Sequence, residues 1–405
     1  MQRISFIENL AQRVLYSLTC LFKEGIAACS LTIAVLYLSI PAYATDTITT
    51  PIAKSAIPPT KTTPHIALLL PVKSADFGSA AAAVLQGILA AQNSLPHSLP
   101  VQVYECSEEG TDITSIYQQA VANGARAVIG PLTRNSVANL VNYSGITVPT
   151  LALNVVEGKA SDKLYYFGLT AVSEARQIAR LAASNGLHNA IIINSGTPLS
   201  KRLSQAFGSE WKILGNKTIK EIVYHNDFSV FADLPADEGN MVFLVADAED
   251  AHLIHPYLNS ALPEYATSQV FNGNSDTLIN FDLSDVHFID MPWLLQPDHP
   301  AVMIYPHPNP ALGTDMERLY ALGIDAFRLL QIMLNNSFNT SLPLDGVTGR
   351  IRLNANHQFE RESIPAQFWQ GRGLTPEDIA LKKAELEAAQ AAAASGISPT
   401  PPPIK

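Results

Sequence analysis

Apolar positions along this chain alternate between two rhythms: short unbroken runs, and longer stretches in which they recur every three or four residues. Segment 65–92 shows both. Ile66 to Leu70 is a continuous apolar run, the pattern of a strand covered on both faces, and Pro71 ends it because proline cannot donate to the ladder. A loop over 72–77 leads to Gly78 and to Ser79, the expected N-cap, after which Val84, Leu85, Ile88 and Leu89 recur at helical spacing. This loop leaves the carboxyl end of a strand, where open α/β sheets bind their ligands.

The same rhythm continues. Strands are expected at 101–105, 126–130 and 147–153, with a helix over 113–123 and another capped by Thr133. A second series pairs a helix over 172–184 with a strand at 189–194, and a helix over 201–212 with a strand at 218–224. Strands at 241–247 and 268–273 flank a short helix ending at Leu258. A long helix over 316–335 places Leu322, Ala326, Leu329 and Leu330 on its buried side, with Asp325 and Arg328 at the edge. A hairpin over 349–363 turns at Asn354 to Asn356, and 375–394 forms an Ala-rich helix with little apolar face. Two such series predict two α/β lobes, each a mostly parallel sheet flanked by helices with right-handed crossovers.

Composition agrees with this picture: 405 residues, 47% hydrophobic and 15% charged, suit a globular protein with large cores. The formal net charge of -10, without a basic stripe, argues against nucleic acid as a partner. Apolar 31–40 followed by Pro41 and Ala42-Tyr43-Ala44 reads as a secretory signal peptide over 1–44, which places the product in the periplasm. The alternative is a lipid on Cys29, after Ile26, Ala27 and Ala28, with outer-membrane association. Cys106 is expected to be a core or loop thiol.

Chemistry is sparse. No glycine-rich phosphate loop follows a predicted strand, and no nucleophile elbow, Ser/His/Asp order or paired-carboxylate spacing stands out, so an enzyme is not expected and no cofactor is implied. The 130–136 segment GPLTRNS could hold an anion at a helix start through Thr133, Arg134, Asn135 and Ser136, or could simply cap that helix. His252 and His255 share a helix face near three acids, with zinc set against a solvated face. DMPWLL, with Pro292 and Trp293, reads as a packed hinge between lobes or as a contact surface.

Taken together, HIALLLPVKSADFGSAAAAVLQGI, AVIGPLTRNSVANL, SEARQIARLAASNGLHNAIII, DMPWLL, LYALGIDAFRL and GVTGRIRLNANHQFERES resemble the LppC-type penicillin-binding protein activators, over about 64–373. The resemblance implies a type I periplasmic-binding-protein fold with two lobes, three crossing segments and an interlobe cleft. It also implies a non-catalytic regulator whose partner is a class A penicillin-binding protein, a peptidoglycan synthase. The competing reading is a solute-binding protein of the branched-chain amino-acid type, in which small hydroxyl residues near 130–136 would grip a carboxylate; here Arg134 and Asn135 interrupt that run. The expected division is a linker over 45–64, lobe 1 from 65–168 and 272–345, lobe 2 from 169–271 and 346–373, and a helix with a Pro-rich tail over 374–405. Pro71, Thr133, Arg134, Asn135, Ser136, Asn194, Pro292 and Trp293 are the expected cleft residues, and any small-molecule ligand is left open.

Overall fold

The computed structural model describes residues 63–394 apart from Glu157, Lys159, Ala160, Asn226 and Asp276. The expected signal peptide, Cys29, the linker up to residue 62 and the tail from residue 395 lie outside the described residues. The first series runs β1 (His65–Leu70), α1 (Gly78–Asn93), β2 (Val101–Glu105), α2 (Ile113–Ala122), β3 (Ala125–Ile129), α3 (Arg134–Val141), β4 (Thr150–Ala152) and β5 (Leu164–Phe167). The second runs α4 (Ala171–Ser184), β6 (Asn189–Asn194), α5 (Pro198–Ile213), β7 (Lys217–Val223), β8 (Asn240–Val245), α6 (Ala248–Ile254), β9 (Glu264–Ala266) and β10 (His287–Asp290). The chain then returns through α7 (Pro292–Leu295) and the long α8 (Thr314–Asn335) to β11 (Leu344–Gly346), β12 (Gly349–Leu353) and β13 (Gln358–Glu362). It ends with β14 (Ile364–Trp369), β15 (Arg372–Leu374) and α9 (Pro376–Ala394).

Two sheets result, ordered β11-β12-β13-β5-β4-β3-β1-β2 and β15-β14-β10-β9-β8-β6-β7. Each is parallel through its middle and carries antiparallel strands at one edge. The continuous apolar run of β1 is explained by its two faces. Ile66, Leu68 and Leu70 pack with α1 and α8, while Ala67 and Leu69 pack with Ile113, Tyr117, Val137 and Leu140 of α2 and α3. The second sheet repeats the arrangement, with Ile191 and Ile193 of β6 on one side and Ala190 and Ile192 against α4 and α5 on the other.

The predicted face of the long helix is buried as expected, Leu329 and Leu330 completely so. Leu329→Ala is expected to cost about 2–5 kcal/mol, the range for deleting a large buried side chain. An unchanged midpoint in urea unfolding would show that this face is not packed. Asp325 departs from expectation: it is fully buried rather than at the edge. Its carboxylate accepts from Val347 N (3.2 Å), Thr348 N (2.8 Å) and Thr348 Oγ1 (2.7 Å), closing the turn between β11 and β12. Arg328 adds an ion pair at 2.9 Å.

Three other expectations are corrected. Ser79 does not cap α1; the helix begins at Gly78, and Ser74 Oγ accepts from Phe77 N at 2.9 Å just before it. Segment 268–273 is not a strand. The strand is β9, which starts four residues earlier, and Ser268–Val270 is a 3-10 turn. Backbone groups there bond to side chains instead of a ladder: Ser268 N donates to Glu174, and Arg318 Nη2 donates to the Ser268 and Phe271 carbonyls. Finally, the lobe assignment changes after residue 272. β10 pairs with β9 and β14 of the second sheet, while the β12–β13 hairpin joins the first through Gln358↔Tyr166 and Phe359↔Phe167. The buried Phe359 ring enters the core of the first lobe, which holds the hairpin there. The chain therefore passes between sheets after β5, after β10 and after β13.

Candidate functional site

The helix start at Thr133 is the best-formed of the expected ligand positions. Thr133 is extended (φ -80, ψ 148) and its Oγ1 accepts from Ser136 N at 3.3 Å, which caps α3. Its hydroxyl donates to the Glu108 carbonyl at 2.7 Å, and Ser136 Oγ reaches the Ser107 carbonyl at 3.3 Å. Both hydroxyls are buried, so the loop after β2 occupies the space in front of them. Gly110 makes this approach possible: at φ +72, an added Cβ would stand 2.3 Å from Ser136 Cα. Asp112 holds the same loop by accepting from Ser107 N (3.1 Å) and Oγ (2.8 Å), and Asn139 Nδ2 donates to the Gly110 carbonyl at 3.1 Å. Arg134 and Asn135 point outward and are exposed; Arg134 Nη1 lies 3.4 Å from the Val155 carbonyl.

The remaining predicted residues are structural in their contacts. Pro71 is buried at the end of β1, and its carbonyl accepts from Ser74 N at 3.1 Å. Asn194 ends β6, where its Oδ1 accepts from Gly196 N and its Nδ2 donates to Glu221, both at 2.9 Å. Pro292 opens α7. Trp293 is buried between His307 and Tyr320, with ring centroids at 4.5 and 5.3 Å, and its Nε1 donates to Glu317 at 2.6 Å. Trp293 N also donates to the Val347 carbonyl at 3.0 Å, so Trp293 is packed into the connection that returns the chain to the first lobe. The structure brings Thr133 and Ser136 into contact; it shows no bond from them to Asn194, Pro292 or Trp293 among the described residues.

Sequence reasoning missed the buried charges at the crossings. Glu174 of α4 pairs with Arg361 of β13 and accepts from Ser268 Oγ at 2.7 Å. Arg318 of α8 pairs with Asp290 at 2.6 Å and, through the Ser268 and Phe271 carbonyls, ties the long helix of the first lobe to the second. Burial pushes the Asp290 carboxyl up, and the Arg318 guanidinium pulls against that shift. Gln177 and Ser363 bond twice across the third crossing, at 2.7 and 3.0 Å. Beside Glu174 and Arg361 the pocket measures only about 10 Å³, room for one water. These charges are far apart in sequence, and the only one of them inside the segment singled out as a hinge or contact was Asp290, the first residue of DMPWLL. A roomier pocket of about 390 Å³, lined by Leu95, Ile304, Phe327 and Gln331 among others, contains none of the predicted residues.

Two reactive groups are quiet. Burial, followed by Asp112 and Glu105, pushes the Cys106 thiol up to about 12, which keeps it protonated and a poor nucleophile. His255 Nδ1 sits 2.9 Å from Glu264 Oε1, so it is committed to a carboxylate of β9.

Comparison with known proteins follows the same lines. The chain is 26% identical over 320 residues to "Penicillin-binding protein activator LpoA" of Glaesserella parasuis, covering 75% of this chain and 53% of that one. It thus spans about half the length of the curated relatives it matches. Among solved structures it superposes on the "LpoA (YraM) C-domain from Haemophilus influenzae, a regulator of PBP1A" with a TM-score of 0.66 at 23% identity, covering 76% of this chain and 99% of that domain, a likeness of fold. A chain from Chromobacterium violaceum described as a "putative branched-chain amino acid ABC transporter" is 36% identical with a TM-score of 0.66, over 76% of this chain and all of that one. The family described as "LppC putative lipoprotein" matches over residues 55–234 and 231–371, so the chain belongs to the LppC family.

Proposed function

We propose that the chain is a non-catalytic periplasmic regulator that binds and activates a class A penicillin-binding protein. The observation that carries this reading is the occupied helix start. A receptor for a free amino acid needs open space and unspent donors for the carboxylate, whereas Thr133 and Ser136 spend theirs on the carbonyls of Glu108 and Ser107. The buried Glu174–Arg361 and Arg318–Asp290 pairs support it further, since they brace the crossings about which a receptor would close. The names of the LpoA relatives supply the partner class, and export by a leader cut after Ala44 belongs to the same reading.

The second reading is a solute-binding protein of the branched-chain amino-acid type, favoured by the 36% identity to the Chromobacterium violaceum chain. Two measurements separate the readings. Calorimetry with leucine, isoleucine and valine is expected to give no binding, while the host's class A synthase binds and polymerises or crosslinks glycan faster in the chain's presence. Micromolar affinity for an amino acid, with no effect on the synthase, would make the protein a transport receptor.

A further inference from the structure

From Glu221 to Glu317 the chain contains no lysine or arginine, yet it carries sixteen aspartates and glutamates. Part of this stretch folds into one face of the second lobe. α6, the 3-10 turn His255–Tyr257 and the 3-10 helix Ile279–Leu283 pack against one another. They expose large apolar side chains: Leu253 is 46%, Tyr257 53% and Phe281 58% exposed. Glu249, Asp282 and Asp285 are exposed on the same elements or the turn that follows them.

The negative field on this face registers in its own titrating groups. Asp250 is raised by burial and then by Asp247 and Glu249, while His255 is raised by its hydrogen bond to Glu264, with Asp285 and Asp282 adding. The face is also preorganised. Tyr257 stacks on Phe228 at 4.0 Å between ring centroids, Asp247 caps α6 by accepting from Asp250 N at 2.9 Å, and Ser284 Oγ donates to the Phe281 carbonyl at 2.7 Å. Apolar side chains set among charges of a single sign match the anatomy of a protein interface, with an apolar centre and a polar rim that steers its partner.

We propose that this face docks the partner protein, and that the partner meets it with apolar side chains ringed by lysine and arginine. The proposal rests on the regulatory function argued above and names the surface that serves it. Nucleic acid is repelled by the same charges, and a free amino acid is too small to cover three elements.

The test uses the full chain and the host's class A synthase, with binding measured at low and high salt beside glycan polymerisation. Leu253→Ser/Phe281→Ser is expected to weaken binding by about tenfold or more, the usual effect of truncating central apolar anchors. Glu249→Lys/Asp282→Lys is expected to slow association and flatten its salt dependence. Both pairs lie on the surface, so melting temperatures should stay close to the parent's, and either pair serves if the other folds poorly. If the parent binds and both variants bind and activate equally well, the surface is wrong while the regulatory function stands. If the parent itself binds no class A synthase, that function falls and the surface assignment falls with it.

Discussion

Arg318→Met should lower the unfolding free energy by about 3–5 kcal/mol, because it removes one partner of a buried ion pair and leaves the other charge stranded. Asp290 is 1% exposed and lies 2.6 Å from the guanidinium; its remaining contact is Met291 N at 2.8 Å. The carbonyls of Ser268 and Phe271 lose their shared donor at the same time. Asp290→Asn combined with Arg318→Met should recover part of the loss, since the stranded group is then neutral. The sign with pH is fixed by burial, which already raises the Asp290 carboxyl. Without Arg318 to oppose it the carboxyl rises further, so the folded variant prefers the protonated acid. Its deficit against the parent is then full above that raised value and shrinks as pH falls through it. Urea unfolding at neutral and mildly acid pH reads both effects, and a deficit that grows on acidification would contradict the assignment. Because this pair joins α8 to the second lobe, the variant should also loosen the contact between the lobes.

Gly323→Val should cost about 3 kcal/mol, the upper part of the usual range for overpacking, by forcing apart the two helices that cover the first sheet. A Cβ at Gly323 would stand 2.2 Å from the Val84 carbonyl oxygen, and one at Gly87 would stand 1.9 Å from that of Tyr320. Both obstacles are backbone, so no side-chain rotation relieves them. The two glycines thus set how closely α1 and α8 cross, and Gly87→Ala should give a loss of the same kind. A thermal melt of Gly323→Ala that matched the parent would show that the helices can part without cost.

The candidate site was legible in uneven measure. Thr133 was readable as a cap because capping is local, a hydroxyl reaching an N–H three residues on. What covers it was not, since Ser107 and Glu108 arrive from another strand's loop through a turn that depends on Gly110. Trp293 was legible as a hinge or a contact, and the structure packs it inside, with its Nε1 bonded to Glu317. Asp325 misled because helical periodicity places charge at an edge; only the β11–β12 turn folding onto it supplies three donors and makes burial favourable.

By itself the sequence determined the alternating strands and helices and the two-lobed α/β class, together with the face of the long helix. Such features follow from local periodicity and from apolar runs such as Ile66 to Leu70, which can be satisfied only by cover on both sides. The tertiary structure alone decided which sheet receives β10 and the β12–β13 hairpin, why 268–270 turns instead of extending, and that Glu174, Asp290, Arg318 and Arg361 brace the crossings. The reason is physical: strand pairing joins groups up to 192 positions apart and buried ion pairs up to 187, and their energy depends on geometry and desolvation that no local pattern of residues encodes.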